Sequence, residues 1–305
     1  MIETPPDAYG TSDLSAAFAA QIELGSGITH LFDVLLPAYA SVPEFLRRTG
    51  YQNPSDSCRG PWQLASRTEG VRYFQWLAAH PREATSFNEL MAGYTADRLS
   101  WLHIYPTAQL LDTAAVADVM KGDNEEAVLL VDVGGGLGHD LESFRRAHPN
   151  PSGRLVLQDL PDVIRQAETS GLHPSITPMP HDFLTSPQPV LGARAYYLHS
   201  VLHNWPDEQA RLILMNLRSA LRSGYSRILI NDHVVTARGT NPLTASADMV
   251  MMAVLASQER TENVWRKLLN DVGLRIVRVW GAPEVVESVI EVALSGDGND
   301  DELDV

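Results

Sequence analysis

Residues 127–140 read AVLLVDVGGGLGHD, and this stretch decides the fold. Ala127–Val133 is aliphatic apart from Asp132. A short apolar run of this kind reads as a strand buried on both faces, as in parallel sheets. Gly134, Gly135, Gly136 and Gly138 then break it, and a helical pattern continues through Ala147. A strand, a glycine turn and a helix, in that order, place a ligand at the carboxyl end of the strand. Glycines let the backbone approach closely there, and the helix N-terminus offers N–H groups to an anionic end.

The pattern repeats downstream. RLVLQDL (154–160) is a second buried strand, followed by helix-like PDVIRQAE (161–168). Residues 176–179 form a weaker third strand. ARAYYLHSVL (193–202) and SRILINDHVV (226–235) carry the fourth and fifth, with a helix over 207–221 between them. This alternation predicts an α/β fold, a mainly parallel sheet with helices on both faces. Residues 1–121 read differently. Leu31, Val34, Leu35 and Tyr39 form a helical stripe interrupted by Pro37, and Phe87, Leu90, Met91 and Tyr94 share a second face. An all-α segment is expected over 1–121, the α/β domain over 122–294 and an acidic tail over 295–305.

The 305 residues carry 23 Lys+Arg against 38 Asp+Glu, a net charge of −15 with no basic run, which argues against a nucleic-acid partner. With 44% hydrophobic and 20% charged residues, the composition is that of a folded globule. The lone Cys58 can form neither an internal disulfide nor a cysteine zinc site. MIETPPDAYG is not a secretory leader, and no apolar run approaches the ~18 residues of a spanning helix. A cytoplasmic protein away from membranes is expected.

The glycine loop narrows the ligand. The dinucleotide pattern GxGxxG needs glycine at 139 or 141, where His139 and Leu141 stand, so a nicotinamide reading is weakened. The frame acid-x-Gly-x-Gly-x-Gly fits instead, with Asp132, Gly134, Gly136 and Gly138. Asp159 follows the first loop glycine by 25 residues and can accept ribose hydroxyls. Asp182 can accept from an adenine amino group, and Phe183 can pack on the ring.

YYLHSVLHNWPDE (196–208) is the most specific stretch. Together with VDVGGGLGHD, LQDLP, HDF, ILINDHVV and ASQERTENVWRKLL, it resembles the S-adenosylmethionine (SAM)-dependent O-methyltransferases of the plant and fungal caffeic-acid type, especially the fungal secondary-metabolism branch. The resemblance runs from about Leu46 to Glu291. It implies a Rossmann-like class I methyltransferase sheet, and SAM as cofactor with S-adenosylhomocysteine (SAH) as product. Asp132, Gly134, Gly135, Gly136, Asp159, Leu160, Asp182, Phe183 and His199 would hold that cofactor.

The same resemblance makes His203 the general base, with Asp232 and Glu259 orienting it. A phenol has a pKa of about 10 and is a poor nucleophile when protonated, whereas an imidazole titrates near neutrality and can take its proton. An acceptor oxygen aligned roughly 3–3.5 Å from an activated methyl needs little else. An apolar, aromatic acceptor wall is implied at Phe87, Asn88, Met91, Trp101, Tyr105, Met251, Met252 and Leu255, suited to a small aromatic substrate. Two positions depart from the family pattern: His199 replaces a Lys or Arg, and Asn204 replaces an Asp that follows the base. The usual N-terminal winged-helix dimerisation domain is not matched, which weakens the expected homodimer.

His199 and His203 at i, i+4 could share a helix face and invite zinc, but no third ligand is within reach, so no metal is expected. Three readings stand. The first is an O-methyltransferase acting on a phenolic or polyketide-type hydroxyl. The second is a SAM-binding relative without methyl transfer, a pericyclase, cyclase or non-catalytic partner. The third, a nicotinamide oxidoreductase, is disfavoured by both failed glycine frames.

Overall fold

The computed structural model describes residues 2–3, 6–96, 100–111, 127–282 and 285–297. The expected boundary at 121/122 and the tail beyond Asp297 lie outside them. Two units form: one of Met1–Arg98 with Asp248–Ser257, the other of Leu99–Ala247 with Gln258–Val305. The first thus takes in a piece of chain that the sequence pattern assigns to the α/β domain.

The first unit is helical. Helices α1 (Asp13–Ala20) and α2 (Ile22–His30) lead through a π-helical turn at Leu31–Leu35 into α3 (Leu36–Arg48). Pro37 does not interrupt this run. It falls where the π-helical turn passes into α3, and the helical path continues through it. Val34, Ala38 and Val42 bury one stripe against Trp62 of α4 (Pro61–Ser66) and against Tyr73 and Leu77 of α5 (Tyr73–Ala78). Trp62 meets Tyr73 edge to face at 5.2 Å, a favoured aromatic geometry. Helix α6 (Pro81–Ala96) follows in the same unit.

The second unit is the expected α/β sheet. Its strands are β1 (Val128–Val133), β2 (Arg154–Asp159), β3 (Ile176–Pro180), β4 (Ala195–His199), β5 (Arg227–Val235), the short β6 (Arg260–Thr261), β7 (Leu274–Trp280) and β8 (Glu287–Leu294). They lie in the order β3-β2-β1-β4-β5-β8-β7, with β6 paired to β5. The first five are parallel, as buried apolar strands joined by helices require. All six residues of β1 are buried. Helices α7 (His139–Ala147), α8 (Pro161–Thr169), α9 (Asp207–Arg218) and α11 (Glu262–Asn270) belong to this unit, and α10 (Pro242–Val250) runs across the 247/248 division. Acids open α7 and α9 while arginines close them, the arrangement that a helix dipole favours.

Two features of the topology position the site. Strand order reverses between β1 and β4, and the crevice beyond the carboxyl ends of such strands is where ligands bind in open α/β sheets. Strand β8 runs antiparallel to both neighbours and pairs Glu287 with His233 and Ser288 with Asp232. Its first residue therefore reaches the sheet edge where the parallel strands end.

Candidate active site

The glycine loop is built by alternation. Gly134, Gly136 and Gly138 have φ of +75°, +58° and +85°, the left-handed region that glycine tolerates and other residues resist. Gly135 is needed for a different reason: a Cβ there would lie 2.4 Å from the Asp132 carboxyl carbon. The loop folds onto the end of β2, with the N–H groups of Gly134 and Gly135 donating to the Gln158 carbonyl at 2.8 and 3.1 Å. Asp159 accepts from Gly136 N–H at 2.9 Å and from Leu160 N–H at 2.7 Å, which fixes its carboxylate beside the loop. Phe183 lies against the Gly134 side of the loop and edge-on to Trp205, and Asp182 caps Leu184 N–H at 3.0 Å. The structure thus gathers Asp132, the three glycines, Asp159, Leu160 and Phe183 at one place.

Asp132 is unusual. It is 1% exposed, and among the described residues neither carboxyl oxygen has a hydrogen-bond partner. Burial, reinforced by the charge of Asp140, pushes its pKa well up, against the pull of His199. A buried acid without donors is costly unless a cation answers it. The glycine cradle, the fixed Asp159 and this orphaned acid therefore fit an adenosyl cofactor that carries positive charge.

His203 sits in a short 3-10 turn, Leu202–Asn204, directly after β4. Its Nδ1 is 2.8 Å from Glu259 Oε1 and 3.9 Å from Asp232 Oδ1, the first a hydrogen bond and the second an ion-pair distance. The shorter Asp232 side chain thus stands back, while Glu259 makes the bond. Burial disfavours the imidazolium of His203, but Asp232 and Glu259 outweigh it and raise the pKa above the ordinary value of 6.5. Burial pushes Asp232 up to about 7, with His203 pulling it down and Glu259 adding to the rise.

The turn is closed from within. Asn204 Nδ2 donates to the Ser200 carbonyl at 2.7 Å, a bond that the family's Asp could not donate in its charged form. Ser200 takes φ +52°, an unusual conformation for a residue with a side chain.

His199 does not share a helix with His203. It is the last residue of β4, so the i, i+4 geometry that suggested zinc is absent. Its Nδ1 lies 2.7 Å from Asp140 Oδ2 and its Nε2 3.1 Å from Glu287 Oε2. Burial opposes its charge, yet these two acids hold its pKa well above 6.5. In this arrangement the residue expected at the cofactor is engaged by two carboxylates. Both ring nitrogens bond carboxylates, and the residue ties the first turn of α7 to the start of β8.

The expected acceptor wall divides between the units. Phe87, Met251, Met252 and Leu255 pack with the helical core, with Phe87 5.6 Å from the His30 ring. Asn88 and Met91 lie on α6. Trp101, also expected on the wall, lies in the core of the sheet unit. It is 1% exposed and stacks on Tyr197 at 4.4 Å and on Phe144 at 5.8 Å inside the sheet unit's core, with Tyr105 beside it.

Sequence reasoning missed Asp140, Glu287 and Arg260. Asp140 and Arg260 lie inside quoted motifs and were passed over. Glu287 had no local signal, because only the antiparallel register of β8 brings it to the site.

A parallel sheet with one reversed strand, a glycine loop and a buried histidine–carboxylate pair together define a Rossmann-like class I methyltransferase. Residues 63–275 match the family profile described as O-methyltransferase domain. The chain is 39% identical over 292 residues to O-methyltransferase mfmE of Annulohypoxylon moriforme, a match spanning 96% of this chain and 69% of that protein. Among solved structures, a pericyclic reaction enzyme superposes with a TM-score of 0.82 at 32% identity, over 93% of this chain and 70% of that one. OxaC in complex with SAH and oxaline gives 0.84 at 27%, over 96% and 71%. The chain belongs to the O-methyltransferase family, whose methyl donor is SAM.

Proposed function

We propose that this protein transfers a methyl group from SAM to a phenolic or polyketide-type hydroxyl, with His203 as general base. The 2.8 Å bond between His203 Nδ1 and the buried Glu259 carries this reading. SAM, when bound, supplies an activated methyl on a cationic sulfonium. Glu259 holds the tautomer in which Nδ1 carries the hydrogen and Nε2 the lone pair, so Nε2 is the atom that takes the acceptor's proton. The imidazolium then faces two carboxylates, Glu259 and Asp232, which stabilise it as it forms. Burial raises the pKa of both Asp132 and Asp159, so a cationic cofactor beside them would favour their charged forms and an anionic one would not. The catalytic region proposed is the α/β part over 122–294.

The test follows labelled methyl from SAM into a panel of phenols and polyketides, with SAM binding measured by calorimetry. Labelled product from the wild type, and its loss in His203→Ala with SAM binding retained, is the expected result. Turnover surviving His203→Ala removes His203 as the base.

A second reading is favoured by the likeness to a pericyclic reaction enzyme. There the cationic cofactor would act through its charge alone. Tight SAM binding with no methylated product from any acceptor, together with rearrangement of an unsaturated substrate, would select it.

A further inference from the structure

Arg260 follows Glu259 directly and is 1% exposed. Its guanidinium is committed to the turn that carries His203. Nη1 donates to the Leu202 carbonyl at 2.9 Å and Nη2 to the Trp205 carbonyl at 2.6 Å. Nε donates to Asp207 Oδ1 at 3.0 Å, and Nη2 lies 2.9 Å from the same oxygen. The guanidinium carbon stands 5.1 Å from the centroid of the Trp265 ring, within cation–π range. Leu202 immediately precedes the base and Trp205 follows it by two residues, so the fork spans the turn from one side of His203 to the other.

A buried guanidinium is retained only where its donors are matched, and carbonyl groups of an irregular turn need donors in return. The turn also carries the left-handed Ser200, a conformation that persists only when its surroundings hold it. Arginine's planar fork reaches three acceptors in fixed geometry, which a lysine ammonium cannot reproduce.

We propose that Arg260 is a positioning residue for the base: Glu259 fixes the imidazole ring of His203 and Arg260 fixes the backbone turn beneath it. This rests on His203 acting as the base. Asp232, Glu259 and Glu287 raise the pKa of its imidazole against the effect of burial, and Arg260 in turn draws down that of Asp232. A shift of the turn therefore alters both the aim of the ring and its titration.

The test uses Arg260→Lys, Arg260→Met and, to weaken the clamp from the opposite end, Asp207→Asn. Three quantities are read on each folded variant. These are kcat and KM for the acceptor, the SAM dissociation constant, and the titration of His203 by NMR of histidine-labelled protein, its signal assigned by its absence in His203→Gln. Arg260→Lys should lower kcat by up to about 100-fold, the scale of a displacement near 1 Å. KM and SAM affinity should stay within about threefold, and the His203 titration should move toward the ordinary histidine range.

An Arg260→Lys protein that only melts earlier, with kcat and the His203 titration unchanged, overturns the proposal. If the wild type methylates nothing, the base assignment fails, yet the titration still decides the clamp: a shift supports it and no shift overturns it. Should Arg260→Met not fold, Arg260→Lys and Asp207→Asn carry the same readouts.

Discussion

His199 and His203 lie four residues apart on one edge of the same sheet, and each is buried against carboxylates. His199 is held through both ring nitrogens, by Asp140 and Glu287. His203 is held by a carboxylate through Nδ1, with Asp232 standing off at 3.9 Å. One arrangement joins two elements through both ring nitrogens, while the other suits the base proposed for methyl transfer. On the proposed reading, the placement of acids around an imidazole, more than the imidazole itself, separates a structural histidine from the base.

The sharpest way to break this contrast is to remove each ring in turn. His203→Gln should lower kcat by about 10²- to 10⁴-fold, the range of a general base, with SAM affinity retained. Assayed beside it, His199→Gln should retain far more turnover. If both variants lose activity equally with their folds intact, the division of roles is wrong.

His199→Gln should instead act on stability, because it leaves Asp140 and Glu287 facing each other without the imidazolium. Breaking a buried pair costs about 3–5 kcal/mol. The pH dependence has a fixed sign. The folded pKa of His199 lies well above the ordinary 6.5, so its stabilisation is complete below that value and disappears as pH rises through the folded one. Thermal melts should show the largest gap between wild type and His199→Gln near about pH 6 and a shrinking gap at alkaline pH. A gap independent of pH would falsify the charged bridge.

The fold was legible because its signals are local. Ala127–His139 announces a strand, a loop and a helix without help from the rest of the chain. The pairing of His203 with Glu259 was legible through motif resemblance. What escaped depends on distant chain coming together. Glu287 arrives through an antiparallel register, and Arg260 acts on carbonyl groups that carry no side-chain signature. An indole serves a pocket wall and a core equally well, so the sequence could not foresee the stack of Trp101 on Tyr197 and Phe144. The helical spacing of His199 and His203 misled for a related reason: a strand end and a 3-10 turn put the same two residues in unrelated surroundings.

Asn204 offers a finer probe of the His203 side. Its amide donates to the Ser200 carbonyl, and Asn204→Asp would set a carboxylate against that acceptor. Loss of the bond and the unfavourable contact should cost about 1–3 kcal/mol of stability. The turn would loosen around the base, lowering kcat with it. Restoring the family's residue should therefore impair this protein. An Asn204→Asp protein as active and as stable as wild type would show that the turn does not depend on that bond.

The smallest expected effect concerns the acid that stands back. The proposed base His203 has to be neutral to accept a proton, so activity should rise with pH through the coupled titration of His203 and Asp232. Asp232 titrates near 7 and, once charged, helps to hold the His203 value above 6.5. Asp232→Asn removes one of the charges that favour the imidazolium while preserving shape. The acid limb of kcat/KM should then move to lower pH by about one unit. The plateau should fall about tenfold, equivalent to about 1.4 kcal/mol, because the imidazolium formed in the transition state keeps Glu259 but loses its second counter-charge. A limb and plateau unchanged by the substitution would leave Glu259 as the sole support of the base. The 3.9 Å separation would then mark a carboxylate too distant to matter, and the contrast with the doubly bonded His199 would become sharper still.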